Sequence, residues 1–295
     1  MSVYQNLMGQ IEDAGLLFNV TSHSMLARLE KNEATGPFST CPIPNKRALI
    51  NAKSGEVISV VSDRYKVVTN EQIFSSFCKS IENSGVDAEG ARVNVLQTET
   101  GGRAMVDFVF PAHQLQVAGD DSSTALQMCA LNSFDGSHRY TVKAGGLRMK
   151  CLNGQILGDV VGSYSSTHTA SLDVQASADY IVQMITDFNK AGDYWSRMMQ
   201  TPVTWEVADD VIKIFLDLPE DFHTGEKFNA RYEHCETLVG RYFKEMGPNL
   251  YALYNALTDY VSHPTRQSQN RTVKTNRERS KVQSILNKCE AYIGV

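Results

Sequence analysis

The feature that most restricts the fold of this chain is a segregation of patterns along its length. From residue 48 to about residue 154, short apolar runs with period-two alternation follow one another between glycine turns. From residue 176 onward, apolar residues recur at intervals of three and four. Strands that are neighbours in sequence pair antiparallel through short turns, whereas a parallel sheet needs a crossover, usually helical, between each pair. The order therefore predicts an α+β protein: an antiparallel β meander with one crossing helix, followed by a helical C-terminal half.

In more detail, residues 48–51 and 57–61 flank Lys53, Ser54 and Gly55 and read as a hairpin. Thr69 and its neighbours can cap a helix over 70–84, with Ile73, Phe74, Phe77 and Ile81 on one face and Gly85 ending it. Strands are expected at 91–98, 103–111 and 124–133, the first two joined at Gly101 and Gly102. Residues 138–143 and 147–151 then read as two strands turning about Gly145 and Gly146, and Asn153 and Gly154 close the sheet. Before this region, residues 1–35 read as one or two short helices. The proline-broken stretch 36–44 reads as a loop or extended connector. Helices are expected at 176–200, 207–218, 225–245, 249–262 and 277–293. The chain thus divides into an N-terminal segment 1–44, a β-rich core 45–170 and a helical region 171–295.

Several function classes find no support. The chain of 295 residues holds no apolar run near the length of a membrane span, and its first residues have no basic, then apolar, leader. Six cysteines lie far apart, which reads as reduced thiols in a cytoplasmic protein. Phosphate-binding glycine loops, HExxH, paired-cysteine metal spacing and GxSxG are all missing from the sequence. The expectation is a non-enzymatic protein without metal, cofactor or membrane partner.

Charge is more informative. The net charge is −5, but it is uneven. Residues 205–226 carry seven acids against Lys213, and residues 266–288 carry seven bases against Glu278. Between residues 136 and 158 stand four bases and no acid. On a hairpin of 138–143 and 147–151, Arg139, Lys143, Arg148 and Lys150 would share one face, a surface suited to tracking phosphates. Tyr140 offers a ring for base stacking, and the pair Arg64 and Tyr65 adds another cation and ring. Arg266, Arg271, Lys274 and Arg277 would extend the surface as a basic arm.

The most individual stretches are Leu131-Asn132-Ser133-Phe134-Asp135-Gly136-Ser137 and Leu147-Arg148-Met149-Lys150-Cys151-Leu152-Asn153-Gly154. Together they resemble a family of phage/plasmid-like proteins of unknown function, with an Asn-Ser-x-Asp-Gly turn and a later Cys-x-Asn. The run from Asp63 to Asn70 and the run from Tyr254 to Tyr260 are similar to two further motifs of that family, so the likeness extends over about residues 45–262. Phe134 departs from the histidine often found there. The resemblance implies a mobile-element setting and singles out Asn132, Asp135, Gly136, Cys151 and Asn153. The combined expectation is a phage or plasmid accessory that binds single-stranded DNA and extends to single-strand annealing, with a meander compatible with annealing proteins of the Rad-fifty-two type. Such proteins act as rings or filaments, and the acidic stretch of one protomer would meet the basic stretch of the next. The alternative is a host-takeover or anti-defence protein whose acidic, helical C-terminal half binds a host protein.

Overall fold

The computed structural model describes residues 1–29, 39–156, 162–169, 172–219, 229–263 and 271–293. The chain opens with α1 (Val3–Asp13), whose start is closed by a capping box between Ser2 and Gln5. Strands β1 (Val20–Leu29), β2 (Ser39–Asn51) and β3 (Val57–Ser62) form a small antiparallel sheet in that order. Helix α2 (Asn70–Asn83) follows, capped by Thr69 and Gln72 as the sequence predicts. Strands β4 (Arg92–Gln97), β5 (Arg103–Gln116), β6 (Ser123–Ser133), β7 (Tyr140–Arg148) and β8 (Asn153–Ile156) then run antiparallel in chain order. Strand β9 (Ser163–Ser166) pairs with the first half of β7. Helices α3 (Ser177–Gln200), α4 (Trp205–Leu216), α5 (Asn229–Met246), α6 (Leu250–Ser262) and α7 (Arg271–Ile293) complete the chain. This is the expected α+β arrangement.

The six-stranded sheet has two unlike faces, set by side-chain alternation. Its inner face carries Val106, Phe108 and Phe110 of β5, Met128 and Ala130 of β6, and Tyr140 and Val142 of β7, all buried. On this face Phe77 of α2 packs 4.3 Å from Phe108, centroid to centroid. One buried cluster extends from Leu7 to Leu286 and draws on all three segments of the chain. The outer face is sparser. Met105, Cys129 and Leu131 form a small apolar group there, beside Asp107 and Gln127. Helix α7 crosses it, and Arg279 grips Asp107 through two bonds of 3.0 Å.

Four expectations need correction. Residues 20–29 form a strand, not a helix, because they pair with β2. Residues 39–44, expected as a connector, belong to β2. Pro42 is tolerated because β3 pairs only with residues 46–50, so the other edge of β2 is open at the proline. Thirdly, Gly145 and Gly146 do not turn the chain. They lie inside β7, and neither has a positive φ. Gly146 is there for space: a Cβ would stand 2.3 Å from Thr124 and 2.6 Å from the Trp195 ring of α3. Asn153 and Gly154 likewise open β8, which pairs back on β7, instead of closing the sheet.

Candidate nucleic-acid interface

Because β7 is one strand, its parity redistributes the predicted basic face. Positions 141 and 143 point outward while 140, 142 and 148 point inward, since Arg148 is an odd number of positions, five, beyond Lys143. Arg148 is therefore fully buried. Its guanidinium holds Asp120 through bonds of 2.6 and 2.7 Å and Glu245 at 2.8 Å. Lys150 is exposed, but Asp121 at 2.8 Å and Glu245 at 3.0 Å neutralise it. Burial alone would raise the Glu245 carboxyl, yet hydrogen bonds from Arg148 and Lys150 bring it below its usual range. Tyr140 is buried with its hydroxyl 3.0 Å from that of Ser177, so its ring is not a stacking platform. Lys143 remains on the outer face and donates to Ser280 of α7 at 3.1 Å.

The basic arm is only partly placed. Arg266 lies outside the described residues, and Arg271 is placed as backbone in α7. Lys274 is exposed, with Glu278 at 3.7 Å one turn on, and Arg277 is exposed on the same helix. Lys281 pairs at 2.5 Å with Asp217 at the end of α4 of the same chain.

The motif residues act locally. Asn132 is buried and donates to the Asn70 side chain at 2.8 Å, fastening the start of α2 to β6. Asp135 accepts from the Ser137 amide at 2.9 Å and from Arg103 at 2.5 Å, and Gly136 takes φ 75°, together forming the turn between β6 and β7. Cys151 lies 3.5 Å from the Arg148 guanidinium. Asn153 opens β8, placed as backbone.

What the structure does bring together is an open cleft of about 450 Å³ between the end of β3, the β6–β7 turn and the segment after β9. Arg64, Tyr65, His138, Arg139 and His168 line it, and among the described residues no acid does. Tyr65 stacks on His168 with ring centroids 5.0 Å apart and planes 14° apart. The Tyr65 hydroxyl donates to the Ser133 carbonyl. The two sides are tied by the Lys66 amide to the His168 carbonyl at 3.0 Å and by the Lys66 ammonium to the Leu172 carbonyl at 2.7 Å. Arg64 and Arg139 are exposed, and among the described residues neither pairs with a carboxylate. Among the described residues neither ring nitrogen of His168, and not Nε2 of His138, meets a hydrogen-bond partner. Burial holds both histidines below their ordinary 6.5. At neutral pH the cleft thus presents two fixed cations, an aromatic stack and neutral imidazoles. Arg64, Tyr65 and Arg139 were legible in the sequence as cations and a ring. The place of His168 was not, because it arrives from about a hundred residues away.

Two further observations bound the chemistry. Among the described residues, no group of three or more His, Cys, Asp or Glu is placed to hold a metal ion. No helix among them is long and apolar enough to cross a membrane. The fold and cleft define an α+β protein with a two-faced antiparallel sheet and a basic, aromatic cleft at its end. Residues 57–286 match the family DUF932, described as a domain of unknown function, and the chain belongs to it. No curated protein and no solved structure matches the chain.

Proposed function

We propose that the protein binds single-stranded DNA as a recombination or replication accessory of a phage or plasmid. The strand lies in the cleft of Arg64, Tyr65, His138, Arg139 and His168. The observation that carries this reading is the pairing of two exposed, carboxylate-free guanidinium groups with an aromatic stack in one open groove. Guanidinium groups take phosphates, while aromatic faces stack on bases, and neither demands a particular sequence. Assembly of several copies into a ring or filament would align such clefts along one strand and extend the activity to annealing.

Fluorescence anisotropy of a labelled single-stranded oligonucleotide tests the reading. Wild-type protein is expected to bind at low salt and to weaken as salt rises. The double variant Arg64→Ala/Arg139→Ala is expected to bind at least about tenfold more weakly, with a salt slope smaller by about 2. Lys150→Ala is expected to bind as wild type, since Asp121 and Glu245 already hold that ammonium. Absence of binding by the wild-type protein at low salt would overturn the proposal.

A further inference from the structure

A second cleft, of about 400 Å³, lies on the outer face of the six-stranded sheet, roofed by α7 and the end of α6. At its floor is Gln127, in the middle of β6 and only 3% exposed. Among the described residues the Gln127 side-chain oxygen Oε1 has no hydrogen-bond partner. Most buried side-chain amides are satisfied, so a bare one in the floor of a cavity is a place for a hydrogen-bonding partner from outside the chain. Beside it Asp107 and Arg279 are joined by two bonds of 3.0 Å, while the Arg279 Nε, also buried, is unpartnered among the described residues. Gly154 of β8 lies close against both side chains: a Cβ there would stand 2.8 Å from the Gln127 oxygen and 3.3 Å from Arg279.

The surroundings restrict the ligand. Val109, Leu147 and Met149 give apolar walls, which suit a flat ring. The Gln127 amide offers an acceptor next to a donor and so matches an edge that offers a donor next to an acceptor. Arg92 stands at the rim on β4, exposed and without a carboxylate among the described residues. Register places Arg92 opposite Val109 and Val109 opposite Gln127. Two strand spacings, roughly 10 Å, therefore separate the rim cation from the floor amide. A heterocyclic base joined through a sugar to a phosphate spans that gap with matching chemistry at both ends.

We propose that this cleft binds a mononucleotide, its base edge on the Gln127 amide and its phosphate at Arg92. The site is separate from the Arg64–Arg139 cleft and does not depend on the reading given to that cleft.

Equilibrium dialysis of the full chain against AMP, GMP, CMP and UMP tests this. At least one is expected to bind saturably. Gln127→Leu, close in volume and without the amide, is expected to weaken it about tenfold or more. Arg92→Ala, an exposed change on an edge strand that leaves the core alone, is expected to weaken the nucleotide by about tenfold and to leave the matching nucleoside unchanged. The Arg64→Ala/Arg139→Ala variant is expected to keep wild-type affinity, so failure here and failure of the DNA reading are told apart. No saturable binding of any of the four, affinities of both Gln127→Leu and Arg92→Ala within about twofold of wild type, or loss of binding in the Arg64→Ala/Arg139→Ala variant would each overturn the proposal.

Discussion

Arg148 and Lys150 stand two residues apart and were expected to do the same work, yet their surroundings assign them different tasks. Arg148 is buried against Asp120 and Glu245. Replacing it by methionine leaves Asp120 buried and uncompensated, and the expected cost is about 3–5 kcal/mol in urea unfolding. Lys150→Ala in the same assay is expected to lie close to wild type, because its pairs are exposed and screened. His168 makes a prediction of different form. Burial lowers its folded pKa below 6.5, so the unfolded chain binds more protons in the interval between the two values. The stability that the neutral ring contributes is whole above pH 6.5 and is lost as pH falls toward the lowered value. His168→Phe keeps a ring against Tyr65 and cannot take the proton. Its urea midpoint is expected to fall less steeply below pH 6.5 than that of the wild type; an unchanged slope would remove His168 from this account.

At the scale of elements, β7 shows how one misread turn moves a whole site. Gly145 and Gly146 between two alternating runs are a strong turn signal in sequence. In the folded chain Gly146 is demanded by the Trp195 ring across the core, a contact between β7 and α3. Gly146→Ala is expected to cost about 1–3 kcal/mol by overpacking, and circular dichroism should show the fold retained with a lower melting temperature. Reading through the pair would have put Lys143 and Arg148 on opposite faces. The elements whose signals are local were legible: the Thr69 cap of α2, the Gly101 turn between β4 and β5, and helices α3, α4 and α6 within a residue or two. Strand β1 and the first half of β2 were not, since they are largely exposed on both faces and carry no clean alternation; the end of β2, at 48–51, was read as one arm of the hairpin with β3.

At the scale of the molecule, the charge asymmetry that suggested contact between protomers is at least partly met within one chain, by Lys281 and Asp217. If copies assemble through a contact other than these charges, the apparent mass in gel filtration is expected to be the same at low salt and in about 1 M salt. Dissociation on adding salt would restore the electrostatic contact. The sequence by itself determined the class of the fold, because turn residues, caps and hydrophobic period act over a few positions and do not wait for the rest of the chain. It also supplied Arg64, Tyr65 and Arg139 as cations and a ring. Only the tertiary structure decided which cations are free. It put Arg148 in the interior, joined His168 to Tyr65, and set Gln127 beside the Asp107–Arg279 pair at the bottom of a cleft. Those outcomes depend on strand parity and on partners far apart in the chain, and a charge becomes available or neutralised only when the residue that meets it has been placed.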